Sequence, residues 1–420
     1  MKYDINTLDD FDFKSKVVIV RLDLNSPYDE ENKKLKDITR IEAAASTVNE
    51  LSEAGAKLVL MSHQGGDLEY HNYISTRLHA ETISHILDKK VNFIDDVCGP
   101  AAREAIKNLS DGEILLLDNV RYMAEEMTLF EDKLKLTPLQ QTKTIVVRKL
   151  APLADIYVCD AFAAAHRNQP TLVGFEELLP SAMGRLFEKE YEVLSAIMST
   201  SQRPAVFLLG GAKIEDAFGM MPKVLKDGIA DKILAAGLLA QVFMLAKGID
   251  IGGASKEIIY LKKLDRYIDN AREILKGYGE RIIMPVDFAY TDDGRREINL
   301  NDLPSGNAIT DIGSKTIDMY KKEIKNAKTI FTNGPAGVFE KPDSEIGTRE
   351  LLMQIAISDN FSVIGGGDSI SAVNKYGLKK GFSYICTGGG AMVRFLSGEE
   401  LPVVTALKRS AKKFKEIPVN

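Results

Sequence analysis

Phe361 to Ser371 reads FSVIGGGDSIS, an apolar run that opens into three glycines, an acid and the start of a helix. A strand buried on both faces is a near-continuous Val/Ile/Leu run. Glycines after it allow a sharp turn and leave main-chain N–H groups uncovered. A helix that begins there aims its unsatisfied N–H groups and the positive end of its dipole at the turn, which suits an anion. Working outward, YICTGGGAMVRFL (384–396) repeats the device without the acid, and AVFLLGGAKIED (205–216) repeats it with a lysine, Lys213.

Runs of the same kind recur along the chain: Val17 to Val20, Leu58 to Met61, Ile114 to Leu117, Ile156 to Val158, Val206 to Leu209, Ile282 to Met284, Ile330 to Phe331, Ser362 to Ile364 and Tyr384 to Cys386. Between them lie segments of helical spacing, such as Ile41 to Leu51 and Leu186 to Ile197. Buried strands alternating with helices predict an α/β protein with parallel sheets covered by helices on both faces. So many strands, in 420 residues, predict two domains. Pro180 to Gly184 reads as a turn before a long helix, Arg185 to Met198, so the boundary is expected within 175–203, with that helix as a hinge.

Composition narrows the function. A formal charge of −6 argues against a general nucleic-acid binder. The three cysteines, Cys98, Cys159 and Cys386, form no CxxC pair, and the histidines form no HExxH, so neither a disulfide framework nor a zinc site is expected. The N-terminal MKYDINTLDDFDFK is too acidic and polar for a signal peptide. The longest mostly apolar stretch, Ile233 to Ala246, is interrupted by Gln241 and is too short to span a bilayer. The expectation is a cytoplasmic protein with no membrane partner.

Ligands of open α/β sheets sit beyond the carboxyl ends of the strands. In the second half those ends carry glycines. In the first half they carry Arg21, Asp23, Asn25, His63, Asn119, Arg121, Asp160, His166 and Arg167. One half reads as built for backbone contact with phosphates, the other for side-chain contact with a small anion, where the planar fork of arginine suits carboxylate and phosphate. Asp368 stands where a carboxylate could hold Mg²⁺ beside a polyphosphate, although an acid at a helix start is also an ordinary N-cap. The GSKT at 313–316 has the wrong order for a Walker A loop, and no GxGxxG follows a strand, which disfavours a nicotinamide-dependent dehydrogenase.

Taken together and in order, RLDLNSP, SHQGGD, LLLDNVR, CDAFAAAHR, LLGGAKIED, MPVDF, DIGSKT, TNGPAGVFE, IGGGDS and TGGGA resemble the motifs of the phosphoglycerate kinase family over about residues 17–403, with AFAAAHR and SHQG archaeal in type. The resemblance implies reversible phosphoryl transfer between 1,3-bisphosphoglycerate and ADP, giving 3-phosphoglycerate and ATP, in glycolysis and gluconeogenesis. It implies a phosphoglycerate-binding domain over 1–180, with 404–420 returning to it, and a nucleotide-binding domain over 185–403. Asp23, Asn25, Arg40, His63, Gln64, Gly65, Gly66, Arg121 and Arg167 map to substrate positions, with His166 adjacent. Lys213, Gly366, Gly367, Asp368 and Ser369 map to nucleotide phosphate contacts, Glu340 to the ribose, and Asp368 to Mg²⁺. Arg40, Lys213 and Gly390 are the catalytic candidates, the last as an N–H donor. Three departures stand out: Gly66 replaces an arginine, Cys159 an asparagine, and Ala217 a lysine found in many members. The rival reading is a non-catalytic nucleotide-binding relative, for which Gly66 is the best support.

Overall fold

The computed structural model describes residues 1–66, 70–199 and 201–415, and divides into two compact units. The first comprises Met1–Glu192 together with the chain from Glu400 onward; the second is Val193–Glu399.

The first unit is built on six strands: β1 Val17–Arg21, β2 Lys57–Met61, β3 Val91–Ile94, β4 Ile114–Leu117, β5 Ile156–Cys159 and β6 Ser181–Met183. They pair in the order β3-β4-β2-β1-β5-β6, every pair parallel. The β-branched run of β1 is buried on both faces between β2 and β5, as its unbroken apolar character requires. Helix α1, Thr39–Glu53, buries Ile41, Ala44, Ala45, Val48 and Leu51, one apolar face at helical spacing, and Gly55 at φ +80° lets the chain turn back toward β2.

One reading of the sequence is corrected here. Pro180 to Gly184 is not a turn, because Ser181–Met183 forms the parallel edge strand beside β5. Three residues are too few to show a period, and only the neighbouring strand makes them extended. Helix α2, Arg185–Ser199, follows, and the division between the units falls within it.

The second unit holds β7 Ala205–Leu209, β8 Lys232–Ala235, β9 Ile282–Ile283, β10 Asp287–Thr291, β11 Arg295–Asn299, β12 Ile309–Ile312, β13 Thr329–Asn333, β14 Phe361–Gly365 and β15 Tyr384–Cys386. A six-stranded parallel sheet runs β9-β8-β7-β13-β14-β15, and a small antiparallel sheet runs β11-β10-β12. Its helices include α3 Ile214–Lys226, α4 Gly237–Ala246, α5 Ser314–Asn326, α6 Gly367–Lys375 and α7 Gly389–Leu396. The antiparallel sheet has no counterpart in the sequence reading; β11 is polar and largely exposed, and the mostly buried β10 and β12 mix polar with apolar residues and show no long apolar run.

The last helix, α8 Pro402–Lys413, packs in the first unit, where Val403 N–H donates to Ala165 O (3.2 Å) and Ser410 Oγ to Leu179 O (3.1 Å). Residues 416–420 of the expected returning segment lie outside the described residues. No helix among the described residues is long and apolar enough to cross a membrane.

Candidate active site

In the first unit the charged groups collect at the carboxyl ends of β1, β2, β4 and β5, and buried hydrogen bonds hold them. Asp23, just past β1, is 5% exposed and accepts from Arg40 Nη1 at 2.6 Å. Burial alone would raise its carboxyl, but Arg40, His63, the Asn25 N–H and Arg21 outweigh burial and hold it at about 2. Asp23 is therefore ionised at any ordinary pH, and Arg40, on the first turn of α1, keeps its guanidinium half in solvent.

His63, just past β2, is buried and lies within the field of three arginines. Burial is the first cause that pushes its imidazole well below the ordinary value; Asp23 opposes, and Arg21, Arg121 and Arg167 push further down. It is a neutral ring among cations. Arg21 is fully buried beneath it, donating to Thr171 Oγ1 (2.9 Å) and to Leu22 O, with Nη2 3.3 Å from His63 Nδ1. The sequence reading placed Arg21 at a strand end but gave it no role in the site. The signal was available, because an arginine ending a buried strand must find acceptors.

The loop after β2 divides its work. Gln64 is fully buried and its amide is spent on the fold: Oε1 accepts from Ser26 N–H (2.9 Å) and lies 3.0 Å from His79 Nε2, while Nε2 donates to Ser26 O (2.7 Å) and Asn72 O (3.1 Å). Gly65 sits at φ +83°, where a Cβ would come within 2.7 Å of Asn72 O; its N–H donates to Asn25 Oδ1 (2.9 Å) and its carbonyl accepts from Arg121 Nη1. Arg121 and Asn25 are thereby tied to the loop that carries His63 and Gly66. Arg167 donates to Thr128 Oγ1 at 2.9 Å. Cys159, at the end of β5, is wholly buried, and burial pushes its thiol up to about 12, so it is an inert filler.

In the second unit the corresponding strand ends carry backbone. The turns after β7 and β13 interlock: Gly210 N–H donates to Asn333 O (2.9 Å) and Gly211 N–H to Pro335 O (2.7 Å). Gly334, at φ +87°, lies so close to Gly210 that a Cβ would meet its carbonyl oxygen at 2.2 Å. Ser369 Oγ accepts from Gly334 N–H (2.7 Å), joining the β14 turn to the β13 turn. Gly366, the N-cap of α6, has φ +88°, and a Cβ there would meet Asn333 Oδ1 at 2.2 Å.

A polar recess of about 120 Å³ is lined by Gly210, Gly211, Lys213, Gly366, Gly367, Asp368, Ser369 and Gly390, among others. Three helix N-termini, those of α3, α6 and α7, bring their first residues to it. Lys213 and Asp368 are solvent-exposed there. Ala217 lines the same recess, so the lysine of other members would add a second cation at this point. The recess shares Gly211, Ala212 and Asp368 with a larger, mostly apolar cavity of about 460 Å³. Leu238, Ile258, Phe288, Ile309 and Val338 wall that cavity, and Glu340 lines it. Of these, only Glu340 was singled out from the sequence; apolar walls carry no mark that separates them from core.

MPVDF and DIGSKT each contribute to the cavity, through Phe288 and through Asp311 and Ile312, and they also bond to one another. Asp287 Oδ1 accepts from Thr316 N–H (2.8 Å) and Oγ1 (2.6 Å), and Asp287 Oδ2 from Lys315 N–H (3.0 Å), capping α5.

An acidic side chain, a lysine and bare N–H groups around a recess, opening from an apolar slot of nucleoside size, fit a nucleoside polyphosphate. A partly buried cluster of arginines around a neutral histidine and an ionised aspartate fits a small anion that carries hydroxyl groups.

Comparison with known proteins agrees. A family model described as phosphoglycerate kinase matches residues 8–399. A phosphoglycerate kinase of Methanothermus fervidus is 44% identical over 408 residues, covering 97% of this chain and 98% of that protein. One of Pyrococcus horikoshii is 44% identical over 416 residues, covering 98% and 99%. A crystal structure of phosphoglycerate kinase from Pyrococcus horikoshii superposes with a TM-score of 0.89 at 42% identity, covering 98% of this chain and all of that one. The structure from Coxiella burnetii gives 0.81 at 29% identity, over 97% and 100% of the chains.

Proposed function

The chain belongs to the phosphoglycerate kinase family, phosphotransferases with a carboxyl group as acceptor, and from that premise we propose how its residues divide the reaction. The first unit binds 3-phosphoglycerate or 1,3-bisphosphoglycerate; the second binds ADP or ATP. The observation that carries this reading is the recess where Lys213, Asp368 and Gly390 meet beside the apolar cavity.

In the first unit Asp23, held ionised, and the neutral His63 accept or share hydrogen bonds with substrate hydroxyls, while Arg40, Arg121 and Arg167 take its anionic oxygens. Gln64 and Gly65 act through the loop they hold, since their polar groups are engaged within the fold. In the second unit the N–H groups at Gly366, Gly367 and Gly390 and the Ser369 turn cradle phosphates, Lys213 neutralises them, and Glu340 takes the ribose.

Asp368 would hold Mg²⁺. An exposed carboxylate in the lining of a phosphate recess, which Asp216 also lines, fits a cation that takes most of its other ligands from the nucleotide and water. When bound, the ion offsets phosphate charge. The protein's own task is positioning and charge neutralisation, because both the attacking carboxylate and the nucleotide are anionic. Arg40 and Lys213 neutralise the group in flight, and the Gly390 N–H donates to one of its oxygens. Helix α2, in which the division between the units falls, is the hinge.

A coupled assay with 3-phosphoglycerate, MgATP and an aldehyde-forming dehydrogenase tests the reading. Turnover that requires both substrates supports it. Nucleotide binding without turnover would place the chain with a non-catalytic relative.

A further inference from the structure

Beneath the charged groups of the first unit runs a line of buried side chains that the proposed reaction does not use. Glu126 is fully buried; its Oε1 accepts from Thr171 N–H (2.7 Å) and its Oε2 from Thr171 Oγ1 (2.8 Å). Thr171 Oγ1 accepts in turn from Arg21 Nε (2.9 Å), so its own proton is committed to Glu126. Arg21 Nη1 donates to Leu22 O, and Nη2 lies 3.3 Å from His63 Nδ1. Arg21 is 0% exposed and reaches no ligand itself, so what it does for the site passes through His63.

The line has one direction. A guanidinium offers five donors and no acceptor, so its contact with His63 is a hydrogen bond only if Nδ1 is bare. The same contact orients the ring, because a ring turned over would set a carbon against the guanidinium. His63 is uncharged: burial is the first cause, Arg21, Arg121 and Arg167 add to it, and only Asp23 opposes. A neutral imidazole with a bare Nδ1 carries its proton on Nε2. Nε2 has no hydrogen-bond partner among the described residues, and it is not sealed off as the unpartnered Nδ1 of His79 is.

We propose that Arg21 is a positioning residue that holds His63 in the Nε2–H tautomer, so that the ring faces the substrate as a hydrogen-bond donor to one of its acceptor oxygens. This rests on the substrate reading of the first unit given above. Asp23, ionised, already supplies an acceptor there. The other tautomer would set a second bare acceptor, Nε2, against an anionic substrate. The Nε2–H form instead adds a donor without adding a charge beside Arg40, Arg121 and Arg167.

The test is two-bond ¹H–¹⁵N correlation spectroscopy of the whole protein with ¹⁵N-labelled histidine at pH 7, which tells a protonated ring nitrogen from a bare one. The spectrum of His63→Gln identifies the His63 signals by their loss. The parent should show His63 as a single neutral tautomer with its proton on Nε2, and 3-phosphoglycerate should shift the Nε2 signal. In Arg21→Met both tautomers should appear, and KM for 3-phosphoglycerate should rise by roughly 10-fold with a smaller change in kcat, the scale of one hydrogen bond made in the ground state. Arg21→Met combined with Glu126→Gln serves if the single variant does not fold. It removes the buried guanidinium and the carboxyl beneath it together, and the new amide can donate to Thr171 Oγ1 where Arg21 did. A proton on Nδ1, or on both nitrogens, in the parent would overturn the proposal and leave the substrate reading standing. A single Nε2–H tautomer that persists in the folded variants would remove Arg21 from the role. His63 signals that 3-phosphoglycerate does not move would overturn the substrate reading, and the donor role with it.

Discussion

The two candidate ligand regions lie at equivalent places, the carboxyl ends of parallel strands, but they are made of different material. The first unit uses charged side chains, and it must bury some of them. Arg21 is fully buried, His63 and Arg121 nearly so, and Asp23 is ionised against its own burial because Arg40, His63, the Asn25 N–H and Arg21 outweigh it. The second unit presents main-chain N–H groups, with Lys213 and Asp368 in solvent, Asp216 half-buried in the recess and only Asp311, in the cavity, buried. A side-chain site can be retuned by one substitution but is coupled electrostatically. A backbone site is insensitive to neighbouring charge but cannot accept a Cβ where strands approach closely, as at Gly334 and Gly366.

The largest effect expected from this contrast is at Arg40. Arg40→Ala should lower kcat by about 10³–10⁵, the scale of arginine fingers in other phosphoryl transfers. ADP affinity should not move if, as proposed, the nucleotide binds the other unit. Steady-state kinetics and ADP titration on one preparation check both parts. A near-normal kcat removes Arg40 from the chemistry.

At Gly366 the contrast predicts the reverse selectivity. Gly366→Ala puts a side chain at φ +88° and against Asn333 Oδ1. A backbone at φ +88° and ψ 134°, outside even the left-handed helical well, costs about 1–3 kcal/mol for a residue with a Cβ. ADP affinity should fall by about 10-fold or more, with 3-phosphoglycerate affinity unchanged. Equal loss of both ligands would show that the alanine had disturbed the whole protein and not the turn.

Asp23 tests the electrostatic side. Its carboxyl is held at about 2 in the folded chain against an ordinary 3.8, so the folded state resists protonation. That stabilisation is present above pH 4 and is lost as pH falls from about 4 toward 2; the shift is equivalent to about 2–3 kcal/mol. Urea unfolding of parent and Asp23→Asn should differ by that order at pH 7, and the gap should narrow at pH 3. A gap constant with pH would assign the loss to packing.

Gly66 should give the smallest change. It is the position where the resemblance to the family's motif expects an arginine, and it follows the loop residue that bonds Arg121. Gly66→Arg should lower KM for 3-phosphoglycerate by about 10-fold, equivalent to about 1.4 kcal/mol and just under the 1.5–3 kcal/mol typical of a hydrogen bond to a charged group. An unchanged KM would mean that Arg121 and Arg167 already satisfy the anion.

Much of this was legible from local pattern. An apolar run followed by glycines and a helix start is complete within a dozen residues, so FSVIGGGDSIS declares strand, turn and helix without help from the rest of the chain. The alternation of such units determined the parallel α/β architecture. The charged residues at the strand ends of the first half marked a site of side chains. Tertiary structure decided what local pattern cannot carry. Ser181–Met183 is a strand only because β5 offers it a ladder. Gln64, which reads as a site residue, holds the loop from inside because Ser26, 38 residues away, and the nearer Asn72 and His79 close around its amide. His63 is neutral and Asp23 ionised because burial and distant arginines act on them together. Gln241 reads as a flaw in an apolar helix until the carbonyl of Ile309, 68 residues away, orients its amide. Secondary structure depends on neighbours within a few residues, whereas burial, charge state and hydrogen-bond satisfaction depend on which distant segments the fold brings together.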